Sequence, residues 1–151
     1  EKFFSHIENA YFYPVIPFHP MEKLKLTVTL PATPKELYQA WLNGKKHSAF
    51  TGGKATASAK VKGKFSAWDG YITGTNIELK ENKKIVQAWR TTEFPDKALD
   101  SILQLKLEKR PGNKTALTLI QTNLPKGHSK KYRAGWKSSY FEPMKAYFSK
   151  K

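Results

Sequence analysis

From Met21 onward the chain alternates apolar and polar residues. Lys23 to Leu30 puts Leu24, Leu26, Val28 and Leu30 on one side and polar residues on the other, the period-two pattern of a half-buried strand. Helix signals follow at once. Thr33 is a good N-cap, Pro34 suits the first helical position, and Glu36 completes a capping box. Leu37, Tyr38, Ala40, Trp41 and Leu42 supply the apolar face, and Asn43-Gly44 ends it. A second short helix or turn is expected through His47 and Phe50 to Gly52-Gly53.

Short strands come next: Lys54 to Val61, Lys64 to Trp68, Tyr71 to Leu79, Lys84 to Thr92, Ile102 to Lys109 and Thr115 to Thr122. Asp69-Gly70 reads as a two-residue type I′ hairpin turn, and Glu81-Asn82 and Pro111-Gly112 mark further turns. The pattern predicts about seven strands joined mostly by hairpins, hence antiparallel. Beyond them the period changes. Tyr132, Trp136, Tyr140, Met144 and Tyr147 recur every three to four residues behind Ser129 as N-cap, which predicts a long aromatic-faced helix. Pro143 lies inside that pattern and takes the partner from the Ser139 carbonyl, so a kink is expected. Only this helix is large enough to cover one face of the sheet. The expected fold is therefore α+β: a curved antiparallel sheet around a C-terminal helix, with short helices after the first strand and space for a cavity between the layers.

Residues 1–20 differ from the rest. They hold Phe3, Phe4, Tyr11, Phe12, Tyr13 and Phe18 with Pro14, Pro17 and Pro20 and no glycine, which suits neither a long helix nor a central strand. They are expected to be an aromatic, proline-rich extension packed on the surface of a single domain spanning 21–151, with Met21 placed as an initiator would be. A length of 151 residues argues for one domain, and 39% hydrophobic residues is too apolar for a disordered chain. No cysteine is present, so disulfide scaffolds, thiol catalysis and cysteine zinc sites are excluded. No apolar run reaches the length of a membrane span, and no basic segment precedes an apolar core as in a secretory signal; the expected location is the cytoplasm.

The order of elements and several motifs resemble the activator-of-heat-shock-protein-90-ATPase homologue family, within the START-like, birch-allergen-like helix-grip (SRPBCC) superfamily. The matching pieces are Leu30-Pro31-Ala32, Gly63-Lys64-Phe65, Asp69 through Gly74, Lys84 through Arg90, Gly135-Trp136 and Met144 through Phe148. The resemblance implies a helix-grip domain with an internal hydrophobic cavity. In eukaryotic activators a similar domain follows a separate N-terminal domain and helps engage the chaperone.

The candidate chemistry is sparse. The chain has no P-loop, nucleophile elbow or H-E-x-x-H pair. His6, His19, His47 and His128 are scattered and read as solvated surface residues, so no catalytic residue, metal ligand or cofactor is predicted. The aromatic set says more. Phe65, Trp68, Tyr71, Trp89, Trp136, Tyr140 and Met144 lie on elements that face each other, as core or in part as the lining of a pocket for a flat or lipidic molecule. Ser139 and Tyr140 would supply its polar contacts. Trp89 has apolar neighbours at both parities, so its face stays open at this stage.

The net charge is +15. Its lysines come from many separate segments, and Arg90, Arg110 and Arg133 are the only arginines. Base-reading proteins lean on arginine, so specific nucleic-acid recognition is not expected; nonspecific attraction to phosphates or to an acidic protein fits, and a solvated face is the commonest meaning of such charge. Three function classes follow, the first being a non-enzymatic domain that binds a small hydrophobic molecule. The second is a co-chaperone-like module meeting a chaperone or other acidic protein, and the third a cavity enzyme of the cyclase or hydrolase sort.

Overall fold

The computed structural model describes residues 21–150, so the extension at 1–20 lies outside the described residues. The first strand, β1 (Glu22–Leu30), is followed by helices α1 (Pro34–Trp41) and α2 (Gly44–Thr51). Five strands come next: β2 (Lys64–Ala67), β3 (Ile72–Lys80), β4 (Lys84–Thr91), β5 (Ser101–Arg110) and β6 (Lys114–Leu124). One helical run closes the chain, as α3 (Ser129–Gly135), a π-helical segment (Trp136–Phe141) and α4 (Glu142–Ser149). The strands form one antiparallel sheet in the order β1-β6-β5-β4-β3-β2. The architecture is the expected helix-grip α+β fold, with six strands rather than seven.

The missing strand is Lys54 to Val61. Only Thr56 bridges to the sheet there, opposite Ser66, and Lys62 turns the chain with a φ of 72°. Ala55 and Ala57 present too little apolar surface to hold a longer ladder.

Local chemistry explains the helix starts. The Thr33 amide donates to Glu36 Oε1 at 2.8 Å and the Glu36 amide to Thr33 Oγ1 at 3.2 Å, the reciprocal capping box. Asn43 caps α2 by accepting from the Lys46 amide. Ser129 does not cap α3. The Glu22 carboxylate, reaching over from β1, accepts from the amides of Gly127 and Ser129 at 2.8 and 3.0 Å. Those two bonds hold its pKa down at about 2 and put negative charge at the positive end of the helix.

At Pro143 the helix departs from regular α geometry, as its position predicts. The preceding turns widen, and the Glu142 amide reaches back five residues to the Lys137 carbonyl. That widening relieves the clash of the proline ring with the fourth residue before it. Tyr132, Trp136, Tyr140, Met144 and Phe148 are buried along the run, while Tyr147, expected on that face, is half-buried beside Phe148.

Candidate functional site

The concave face of the sheet is set by strand parity. On β4, Ile85, Gln87, Trp89 and Thr91 are buried while Lys84, Val86, Ala88 and Arg90 are half-exposed. The open question of Trp89 is thereby settled: it faces the helix. Opposite it in register stands Gly74, where a Cβ would fall 1.9 Å from the Ala88 carbonyl oxygen and 2.6 Å from the Phe65 ring. Phe65 therefore lies over bare backbone.

Between this face and the C-terminal helix is a pocket of about 400 Å³, within the range of small-molecule sites. Trp68, Tyr71, Ile72 and Trp89 form its sheet wall, and Lys131, Tyr132, Gly135, Trp136, Ser139 and Tyr140 its helix wall. Six of the eight cavity candidates, Trp68, Tyr71, Trp89, Trp136, Ser139 and Tyr140, thus come together. Phe65 and Met144 do not line it; they are 8% and 1% exposed in the core. The rings of Tyr132, Trp89, Trp136 and Tyr140 make one connected cluster, with Trp89 and Trp136 centroids 5.5 Å apart and Trp136 and Tyr140 4.8 Å apart, in the tilted geometries aromatic quadrupoles favour.

Several polar atoms of the wall are committed elsewhere. Trp136 Nε1 donates to Gln121 Oε1 at 2.8 Å, and Gln121 Nε2 donates to Ser101 Oγ. Tyr132 shares a hydrogen bond with Thr91, and burial pushes its hydroxyl pKa up. Trp68 Nε1 is different, because it is buried without a partner. Its backbone is unusual too. Trp68, Asp69 and Gly70 have φ of 52°, 56° and 89°, so the β2–β3 connection is a four-residue turn over 68–71 rather than a two-residue hairpin. A bulky residue in the left-handed region is rare; it turns the indole off the strand and over Gly53, where a Cβ would come within 2.5 Å of the ring. At the mouth Lys131 pairs with Glu93, which lowers the Glu93 pKa.

His47 is the residue that sequence reasoning misplaced. Instead of lying in solvent, it is 5% exposed, with Nδ1 2.9 Å from the Trp41 carbonyl and Nε2 2.8 Å from the Tyr140 hydroxyl. A carbonyl only accepts, so Nδ1 carries the proton and Tyr140 donates to Nε2. Burial lowers the imidazole pKa to about 4 and raises that of Tyr140. Both groups are spent on each other: the imidazole lone pair is capped by the tyrosine, and neither functions as a base toward the pocket. No sequence spacing connects them, since His47 and Tyr140 meet only through the fold. Among the described residues no group of three His, Asp or Glu side chains is placed to hold a metal.

With this geometry in view, comparison with known proteins is specific. The sequence profile described as Activator of Hsp90 ATPase homolog 1-like protein matches residues 31–149. The human protein named Activator of 90 kDa heat shock protein ATPase homolog 1 is 31% identical over 129 residues, covering 85% of this chain and 38% of its own length. The Dictyostelium discoideum homologue is 31% identical over 126 residues, 83% of this chain and 33% of its own length. This chain thus spans little more than a third of those relatives, whose names describe activators of an ATPase rather than catalysts. Among solved structures, an HSP90 activator from Plasmodium falciparum superposes with a TM-score of 0.77 at 22% identity, covering 84% of this chain and 96% of its own; that likeness speaks to fold alone. Together the helix-grip architecture and the match over most of its length place the chain in the Activator of Hsp90 ATPase homolog 1-like family.

Proposed function

We propose that this domain is a co-chaperone-like interaction module that engages an Hsp90-type chaperone in the cytoplasm. The observation that carries the reading is the continuous family match over residues 31–149, on a chain whose +15 charge favours encounter with an acidic partner. The test is calorimetry of the full chain against Hsp90 from the same source, with ATPase turnover followed in parallel. Binding in the micromolar range that weakens with salt is expected. No heat and no change in turnover at about 100 µM chain and low salt would refute the reading.

A second reading rests on a separate observation, the aromatic pocket of about 400 Å³. Its walls are apolar and their polar atoms mostly paired, which suits a flat hydrophobic molecule better than a charged one. Ser139 sits on the helix wall. Ser139→Leu is expected to abolish the fluorescence enhancement of an anilinonaphthalene probe while leaving the melting temperature within a few degrees. Undiminished probe binding by the variant would show that this pocket is not the site.

A further inference from the structure

The lysines that look diffuse along the sequence are not all diffuse in space. On the sheet face turned away from the helix, Lys80 pairs in register with Lys84, and Lys84 with Lys106. Three ammonium groups therefore stand side by side on adjacent strands. Lys83 joins them from the β3–β4 turn, held there because its carbonyl accepts from the Leu107 amide at 2.8 Å. These four lysines rim a groove of about 370 Å³ whose wall also includes Leu107 and Glu108.

Like charges directly opposite on neighbouring strands destabilise a sheet, and this row holds two such pairs in succession. Glu78 offsets part of the repulsion, 3.1 Å from Lys84 and 4.0 Å from Lys80. Lys83 and Lys106 have no ion pair among the described residues. One step along the same face, Val86, Gln104 and Ile120 pair across β4, β5 and β6 and are only half-buried, so a basic row borders a partly apolar strip.

We infer that the Lys80–Lys83–Lys84–Lys106 groove is a docking surface for an acidic peptide segment of a protein partner. Carboxylates supply the missing counter-charge to Lys83 and Lys106, and apolar side chains of the same segment cover the adjacent strip. A nucleic acid fits less well. Its continuous phosphates would meet Glu78 and Glu108, and the row offers no arginine for bidentate contacts. This inference rests on the interaction-module reading and gives it a location.

The test uses the full chain and a fluorescein-labelled deca-glutamate, read by anisotropy, with deca-glutamine as the uncharged control. The charge-reversed variant K83E/K106E is expected to bind deca-glutamate at least ~10-fold more weakly. K45E/K46E, with the same change of net charge on α2, is expected to stay within about twofold of the parent. Because reversal at Lys106 removes cross-strand repulsion, K83E/K106E is also expected to keep or raise its melting temperature, which separates lost binding from lost fold. Equal weakening by both variants would overturn the inference, leaving a diffuse field only. It is equally overturned if deca-uridylate of the same length binds the parent more tightly than deca-glutamate and loses the same factor in K83E/K106E. Repeating the chaperone titration separates the two readings. Chaperone binding undiminished in K83E/K106E overturns the groove and leaves the module reading intact. Groove-specific peptide binding without any chaperone binding supports the groove and removes the module reading.

Discussion

His47 makes folding stability depend on pH in a direction its burial dictates. The imidazole is neutral in the folded protein, donating from Nδ1 to the Trp41 carbonyl and accepting at Nε2 from Tyr140. Its pKa there is about 4, against an ordinary 6.5. The unfolded chain therefore takes up a proton below 6.5 that the folded chain refuses until about 4. Stability linked to this group is complete above pH 6.5, falls as the pH drops through that window, and is flat below it. At ~1.4 kcal/mol per pH unit the total is roughly 3 kcal/mol. Urea unfolding of the parent and of His47→Gln at a series of pH values isolates the term, because other titrating groups cancel in the difference. The parent's stability advantage should shrink by about 2–3 kcal/mol between pH 7 and pH 4.5. A difference that stays constant to about 0.5 kcal/mol over that span would refute the buried neutral imidazole. An Nδ1–H tautomer in nitrogen-detected NMR at pH 7 is the matching spectroscopic expectation.

Three other outcomes follow from packing and hydrogen bonding. Trp136 is 3% exposed, so Trp136→Ala should cost about 3–5 kcal/mol in urea unfolding; Trp136→Phe should cost about 1–3 kcal/mol by orphaning Gln121. Gly74→Ala brings a methyl to 1.9 Å from the Ala88 carbonyl, so a loss above ~3 kcal/mol or no soluble protein is expected, and an unchanged melting temperature would contradict the β3–β4 register. Asn76, 2% exposed, donates to the Ser58 and Lys60 carbonyls and accepts from Gln87; Asn76→Ala should cost about 2–4 kcal/mol in the same assay and speed amide exchange across 58–63, while exchange as slow as in the parent would show that the loop is held by other bonds.

Most of the architecture is legible because it rests on local signals. Leu24, Leu26 and Leu30 announce a strand, Thr33 and Glu36 a helix start, and Tyr132 through Met144 a buried helical face, though Phe148 rather than Tyr147 completes it. Three of the misread residues share one physical cause. Each depends on a partner that sequence spacing does not reveal. Glu22 displaces Ser129 as the cap of α3 from 107 residues away. His47 is drawn inward by a tyrosine 93 residues along. Trp89 is ambiguous by pattern because Val86 and Ala88, on the outer face, are also apolar; only the register of β4 with β3 and β5 decides which side meets the helix. The site was partly legible for the same reason. Aromatic residues on facing elements had to meet, but Phe65 and Met144 fill the core beside the pocket rather than its wall.

The π-helical segment has a consequence for the winding of the last helix. Residues four apart overshoot a full α-helical turn by ~40°, so the four steps from Tyr132 to Phe148 would accumulate ~160° and send the two ends to opposite sides. An i→i+5 closure absorbs one extra residue, ~100° of rotation, and returns most of that drift. The segment thus acts as a phase corrector, allowing a strict four-residue apolar repeat, Tyr132 to Phe148, to stay mostly on one side of the run. Ser138 is exposed and contributes little packing of its own. Deleting it would remove the extra residue that the wide turn absorbs, so the backbone would relax to an ordinary α-helix with Met144 and Phe148 still on the side of Trp136; its importance lies in being counted rather than in being touched.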